Sequence, residues 1–140
     1  MYIKITDQPI QPEKIINLAK TRNSGCVVTY VGLIRDESHG KEVLTVEYQD
    51  RDGKAEERLR QLAEEVRQKF PVNDLALCHR IGKLNVGDIN LVFAFACGHR
   101  QEGLAACSYA IDRFKETLPT WKIETYADGS TRNGQTSHPG

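Results

Sequence analysis

The sequence lacks an excess of charge of either sign, since 19 of its 140 residues are Lys or Arg and 19 are Asp or Glu. A chain without net charge has no general attraction for nucleic acid or anionic membranes, so any anion site must come from local clustering of cations. No apolar run approaches the ~20 residues that a membrane span requires. The chain opens on an alternating pattern over Met1–Lys4 without a charged and then apolar leader, which predicts a soluble, cytoplasmic protein.

The sequence has four cysteines but no C-x-x-C pair and no zinc-like spacing. Cys26, Cys78 and Cys97 lie in apolar, strand-like runs, where a free cysteine behaves as a small hydrophobe. We therefore interpret the cysteines as buried thiols and predict no metal and no cofactor. A Gly-rich phosphate loop and a Ser-His-Asp signature are also missing.

The order of elements favours an α+β domain with a mostly antiparallel sheet and helices on one side of it. The pattern predicts strands over 2–6, 26–33, 42–49, 75–81, 89–97 and 120–126, and helices over 13–20, 54–70 and 100–117. We expect the strand over 42–49 to pair antiparallel with the strand over 26–33. Residues 1–129 are expected to form a single domain and residues 130–140 a flexible tail, since the tail has no large apolar residue to anchor it.

Positive charge is concentrated between His99 and Glu124. His99 and Arg100 stand where a strand leads into a helix, and free N–H groups at a helix start favour anions. Lys115 flanks the apolar stripe near the end of that helix, for which we expect Leu104, Cys107, Ile111, Phe114 and Leu118. Lys122 follows after a proline, and Arg35 ends the strand over 26–33. Together these cations predict a pocket for a phosphorylated or carboxylated substrate.

Two lysines in one pocket disfavour each other's charge, so the pKa of one should fall and leave a neutral nucleophile or base. Alternation puts Lys122 and Glu124 on one face of the last strand, and we expect Trp121 and Ile123 on the other face to meet the core. Simpler alternatives remain open: Lys115 covering apolar surface with its stem, a Lys122–Glu124 surface ion pair, and a capping role for His99.

A second His-Arg pair, His79-Arg80, falls in the middle of a predicted strand. Alternation sends its two side chains to opposite faces, so at most one of them can face a site. We expect a structural role for this pair.

Motifs in a fixed order resemble those of the large, catalytic subunit of molybdopterin synthase. They are G-x-I-R-D over 32–36, E-Y over 47–48, H-R-I-G-x-L-x-x-G-D over 79–88, H-R over 99–100, and I-D-x-F-K-x-x-x-P-x-W-K-x-E over 111–124. The resemblance runs from about residue 2 to residue 129.

The resemblance implies an α/β-hammerhead-like α+β fold and a homodimer that becomes a heterotetramer by binding two small ubiquitin-like subunits ending in Gly-Gly. The thiocarboxylate of that C-terminus would donate sulfur to cyclic pyranopterin monophosphate, and two rounds would build the dithiolene of molybdopterin. By position, Lys115 and Lys122 would be catalytic. The residues that would bind substrate are Leu33, Ile34, Arg35, His99, Arg100, Ile123 and Glu124.

The sequence departs from the family pattern in three places. Residues 49–54 lack the usual aromatic residue and Met, Ile123 stands where a basic residue is common, and the short tail lacks a Trp. Arg132 is the tail residue that could reach a neighbouring active site. Two other classes stay open: a non-catalytic module that binds a ubiquitin-like partner, which the 49–54 loop favours, and an unrelated α+β domain that binds a phosphorylated ligand, which leaves Lys122 without a role.

Overall fold

The computed structural model describes residues 1–134. In chain order the elements are β1 (Tyr2–Thr6), α1 (Pro12–Ala19), β2 (Cys26–Leu33), β3 (Glu37–Ser38), β4 (Lys41–Gln49), α2 (Ala55–Lys69), β5 (Val72–Arg80), β6 (Gly82–Asn85), β7 (Ile89–Cys97), α3 (Arg100–Glu116), β8 (Trp121–Tyr126) and β9 (Thr131–Gly134).

The first sheet has the order β1-β5-β7-β2, in which β1 and β5 are parallel and the other pairs antiparallel. Both of its faces are covered. On β7, Val92 and Ala94 pack with α1, while Phe93 and Phe95 pack in the larger cluster with α2 and α3. This double burial accounts for the unbroken apolar run of β7. The α+β class with mostly antiparallel strands is confirmed, but the expectation of helices on one side only is wrong for α1.

The second sheet has the order β3-β4-β8-β9, and β6 also pairs with β4. The expected pairing of β2 with β4 is wrong, because within residues 1–134 β2 pairs only with β7. The chain leaves β2 at a register shift between Gly32 and Leu33 before it reaches the hairpin. That hairpin turns at His39 and Gly40, with φ of 53° and 74°, and sends β4 into the second sheet.

Residues 131–134 differ from the expected flexible tail. Thr131–Gly134 form β9, which pairs antiparallel with β8 after a turn in which the Asp128 side chain accepts a hydrogen bond from Ser130 N (2.9 Å). Backbone hydrogen bonds to a strand need no apolar side chain, so composition alone misses such a strand. The rest of the tail, 135–140, lies outside the described residues. The single domain over residues 1–129 stays a prediction.

Helix α3 packs closely on β2 through small residues. A Cβ on Gly103 would lie 2.7 Å from the Val28 side chain, so only glycine allows this approach. The buried face of α3 therefore runs through Gly103, Ala106 and Ala110, whereas Leu104 is 56% exposed, against expectation. In the part of the chain that the structure describes, no helix is long and apolar enough to cross a membrane.

Candidate active site

A pocket of about 280 Å³ lies between the two sheets and the last turns of α3. Lys115 from α3, Lys122 from β8 and Arg35 from the segment after β2 all line it. The structure therefore brings together three of the five cationic or imidazole side chains expected at one site. His99 and Arg100 are the two that do not line this pocket. Leu33, Ile34 and Glu124 line the same pocket.

Arg35 is held in place through its neighbour Ile34. The N–H of Ile34 donates to the carbonyl of Asp88 (3.0 Å), and the carbonyl of Ile34 accepts from the N–H of Gly87 (2.9 Å). The Ile34 side chain is buried in the core. The turn before β7 thus fixes the backbone at Arg35 and leaves its exposed guanidinium at the pocket.

Lys122 lies in an enclosed, cationic environment. Its side chain is 15% exposed, and its Nζ lies 4.0 Å from Oε2 of Glu124. Burial lowers the pKa of Lys122, the nearby cations Lys115, Arg35 and Arg132 lower it further, and the Glu124 carboxylate opposes them. The pair is therefore not an exposed surface ion pair. The pKa of one lysine falls in the direction expected from sequence, but burial is the main cause and the charge of Lys115 a smaller one.

The orientation of β8 is the reverse of the one expected. Glu124 and Tyr126 are 6% and 3% exposed, and the Tyr126 hydroxyl donates to Oε1 of Glu124 (3.1 Å). Trp121 instead lies on the opposite face, with the Arg51 guanidinium 4.3 Å from its ring centroid. The polar row of β8 faces inward because it borders a polar pocket, so the usual rule that apolar side chains point to the core gives the wrong face here. Ile123 shares the face of Trp121 and does not line the pocket.

His99 and Arg100 are not at this pocket within one chain. Both are exposed at the start of α3, whereas Lys115 is near its end. A rise of about 1.5 Å per residue puts about 22 Å between Arg100 and Lys115. One chain therefore cannot bring both ends of α3 to the same small substrate.

Several pocket residues were missed at the sequence level. Tyr48 is buried, and burial raises its pKa to about 12, so it keeps its proton. Asn90 Nδ2 donates to the Tyr48 hydroxyl (3.0 Å). The signal for Tyr48 was its place in the E-Y motif, and the signal for Asn90 was its amide at the start of an apolar run. Ser38 and Glu37, from β3, complete this wall.

The cysteines take no part in this pocket. Cys78, Cys97 and Cys107 are buried and Cys26 half-buried, all as free thiols. Burial raises the pKa of Cys78 to about 11 and raises that of Cys97 and Cys107, so they stay protonated. Among residues 1–134 no group of three or more His, Cys, Asp or Glu side chains is arranged to hold a metal ion.

The two-sheet α+β fold holds a pocket lined by Arg35, Lys115 and the largely buried Lys122, an arrangement whose charge favours a small anionic molecule. The family model described as MoaE protein matches residues 5–117. The molybdopterin synthase catalytic subunit of Nostoc sp. is 41% identical over 128 residues, which cover 91% of this chain and 78% of that protein. The human molybdopterin synthase catalytic subunit is 33% identical over 132 residues, which cover 94% of this chain and 70% of that protein. This chain belongs to the MoaE family.

A solved structure supports the same assignment. The crystal structure of molybdopterin synthase from Staphylococcus aureus matches with a TM-score of 0.86 and 32% identity, covering 97% of each chain. The fold implied by the resemblance, an α/β-hammerhead-like α+β domain, is therefore confirmed.

Proposed function

We propose that this chain is the catalytic subunit of a molybdopterin synthase and acts as a sulfurtransferase. A small ubiquitin-like subunit ending in Gly-Gly brings sulfur as a C-terminal thiocarboxylate, and the acceptor is cyclic pyranopterin monophosphate. In each of two rounds the thiocarboxylate sulfur forms a carbon–sulfur bond on the pterin as a carbon–oxygen bond there breaks, and the displaced oxygen leaves with the phosphate or as water. Water then hydrolyses the acyl–sulfur bond of the carrier, so that the sulfur stays on the pterin and the carrier ends as a carboxylate. The name of the relatives, molybdopterin synthase catalytic subunit, supports the view that the chain works with a second subunit.

The observation that carries the proposal is the shared pocket of Lys115, Lys122 and Arg35. Arg35 offers a guanidinium fork for the substrate phosphate. Lys115, half-buried at the end of α3, stabilises the negative charge of the incoming thiocarboxylate. Lys122, with its lowered pKa, has a larger neutral fraction than an exposed lysine and can accept a proton as sulfur bonds to the pterin.

The pocket also needs a second copy of the chain if His99 and Arg100 are to bind substrate. Strand β2 is an outer strand of its sheet and carries no charged residue, so its edge is unprotected. Val31, Leu33 and Leu104 are 38%, 57% and 56% exposed on β2 and α3. A two-fold dimer that pairs two β2 edges covers these side chains.

Antiparallel pairing of two β2 strands would bring opposite ends of α3 together. Cys26 at the start of β2 is opposite Cys97, which leads directly to His99, whereas the end of β2 borders the pocket. The eight residues of β2 span about 24 Å, close to the ~22 Å between Arg100 and Lys115. His99 and Arg100 of one copy would thus reach the phosphate in the pocket of the other, and the homodimer with two small subunits is the heterotetramer.

The function is tested by single turnover with a thiocarboxylated small subunit and cyclic pyranopterin monophosphate, with molybdopterin detected as its fluorescent oxidised derivative. Lys115→Ala should lower the rate at least about a thousandfold, because the charge that develops in the transition state loses its partner. Binding of the small subunit and the melting temperature should stay as in the parent. Retained turnover would remove Lys115 from the chemistry. A stable complex of the parent chain without product would favour a non-catalytic module.

The shared site is tested by mixing two impaired variants. In a mixed dimer of a Lys115→Ala chain with an Arg100→Ala chain, one pocket has both parent residues if they come from different copies. At a substrate concentration well below the KM of Arg100→Ala, turnover of the mixture should then exceed the sum of the turnovers of the two variants alone. Absence of any recovery, in a mixture shown by mass spectrometry to contain mixed dimers, would place both residues in one chain's site and contradict the dimer proposal.

A further inference from the structure

A fully buried histidine lies directly behind the pocket and has no part in the proposed chemistry. His79, on β5, has 0% exposure. Its Nδ1 lies 3.0 Å from the carbonyl oxygen of Asn90, and its Nε2 lies 3.1 Å from the Thr120 hydroxyl. Its ring makes edge contacts with Tyr48 at 4.9 Å and with Phe114 at 5.2 Å between centroids. His79 thus contacts β4, β7 and α3, and it contacts Thr120 immediately before β8. All four of these strands and helices contribute residues to the pocket.

The partners of His79 define its protonation. A carbonyl oxygen only accepts hydrogen bonds, so Nδ1 carries the proton and donates to Asn90. In the neutral ring Nε2 is then an acceptor, and the Thr120 hydroxyl donates to it. Burial lowers the pKa of His79 to about 4, which agrees with a neutral ring at neutral pH.

Thr120 connects this histidine to Lys122. Residues two apart in an extended chain point to the same side, so Thr120, Lys122 and Glu124 form one inward row. Thr120 is 1% exposed, and the hydrogen bond from Tyr126 holds Glu124. Lys122 lies between these two held positions. Pairing with β4 and β9 holds the backbone of β8, and the hydrogen bond from Thr120 to His79 fixes the side chain at the start of the row.

We propose that His79, as the neutral Nδ1–H tautomer, is a positioning residue that holds Thr120 and thereby keeps the Lys122 amine enclosed in the pocket. The inference rests on the proposed function only for the part that Lys122 takes in turnover, because the placement of the amine can be measured without turnover. His79 does not line the pocket, and its contact on the side of Lys122 is the hydrogen bond with Thr120.

Loss of the anchor should change the environment of the Lys122 amine in a defined direction. A loosened start of β8 admits water, and hydration relieves the penalty that burial places on the ammonium form. The pKa of Lys122 should therefore rise towards its ordinary value. The charged or titratable groups that line the pocket or act on the amine are Lys115 on α3, Tyr30 on β2, Arg35 after β2, Glu37 on β3, Tyr48 on β4, Glu124 on β8 and Arg132 on β9. A change at Thr120 replaces none of them.

The test compares Thr120→Val, which replaces the hydroxyl by a methyl group, with Thr120→Ser, which keeps it. Full-length chains are acetylated briefly with limiting acetic anhydride across a pH series, and labelling of Lys122 is read by peptide mass spectrometry relative to the exposed Lys14. Because only the neutral amine reacts, Thr120→Val should move the labelling curve of Lys122 to higher pH. Thr120→Ser and the matched control Thr125→Val, on the other face of β8, should follow the parent curve.

Turnover gives a second readout. In the complete complex with thiocarboxylated small subunit, Thr120→Val should slow single turnover at pH 7 about tenfold, with the apparent KM for cyclic pyranopterin monophosphate unchanged. An unchanged labelling curve in folded Thr120→Val overturns the inference. A shifted curve in a chain without synthase activity supports the inference while contradicting the proposed function.

A second variant, His79→Asn, removes the same hydrogen bond by changing its histidine partner, and it provides the test if Thr120→Val does not fold. In His79→Asn the side-chain amide can still donate to the Asn90 carbonyl in place of Nδ1 but no longer reaches Thr120. It should shift the Lys122 labelling curve in the same direction. A parent-like curve in folded His79→Asn contradicts the positioning role, and a shifted curve confirms it.

Discussion

The dipeptide His-Arg occurs twice in this chain, and the two copies have opposite surroundings. His79-Arg80 ends β5, with the imidazole fully buried and hydrogen-bonded on both nitrogens. His99-Arg100 stands at the junction of β7 and α3, with both side chains exposed. The histidine thus belongs to the core in one place and to the surface in the other, while its arginine neighbour is half-buried in the first pair and exposed in the second.

The difference shows that position within the fold decides what a His-Arg pair can do. A buried imidazole held by a carbonyl and a hydroxyl has a fixed tautomer and is committed to structure. An exposed pair beside free backbone N–H groups at a helix start is available to an anion. Substitutions in the two pairs should differ most in their effect on the free energy of unfolding and least in their effect on substrate affinity.

The largest expected effect is the loss of stability in His79→Ala. This change leaves a cavity and removes the partners of a buried carbonyl and a buried hydroxyl, and the free energy of unfolding should fall by about 4 kcal/mol. His99→Ala, the matched change in the exposed pair, should stay within about 0.5 kcal/mol of the parent. Urea unfolding followed by circular dichroism measures both. Equal effects in the two variants would contradict the assignment of His79 as the structural histidine.

The second effect is a dependence of stability on pH that comes from His79. Its pKa is about 4 in the folded chain against 6.5 as the ordinary value, so between these pH values the unfolded state binds the extra proton. Stability contributed by the neutral ring is complete above pH 6.5 and is lost as pH falls towards 4, by on the order of 3 kcal/mol. The carboxyls of Asp52 and Asp128, with pKa lowered to about 2, lose their contributions only below this window.

Urea unfolding at half-unit steps from pH 7 to pH 4 measures this slope. His79→Gln keeps a polar side chain that does not titrate and should flatten the slope, whereas His99→Gln should keep the slope of the parent. A parent chain whose stability is constant from pH 6.5 to pH 4 would contradict the buried neutral histidine.

Much of the fold follows from the sequence because its patterns are local. Strands β1, β2 and β7 have the bounds that alternation and apolar runs predict, and α3 ends within one residue of the prediction. Pairing is not local. No residue pattern between Leu33 and Lys41 indicates that β4 pairs in a second sheet. Strand β9 is held by backbone hydrogen bonds, which require no particular side chains and so cannot be predicted from composition.

The site was predictable in its charges but not in its geometry. The spacing from Lys115 to Lys122 placed both amines near the end of one helix, where the structure has them. The face of β8 was reversed, because Trp121 meets Arg51 on the outside while Glu124 is buried at the pocket. The distance of Arg100 from Lys115 follows from the helical rise alone, but which end of α3 borders the pocket is visible only in three dimensions, and the proposed second copy rests on that placement.

The smallest expected effect separates the two arginines. Arg100→Ala should raise the apparent KM for cyclic pyranopterin monophosphate about tenfold, equivalent to about 1.4 kcal/mol, because one charged contact to the phosphate is lost at a solvent-exposed edge. Steady-state assays at several substrate concentrations measure it, and the free energy of unfolding should not change. Arg80→Ala is the matched control, since Arg80 lies 3.9 Å from Asp88 and outside the pocket. It should leave the KM unchanged. An unchanged KM in Arg100→Ala would remove Arg100 from the phosphate site and leave the exposed His-Arg pair without the anion-binding role that distinguishes it from the buried one.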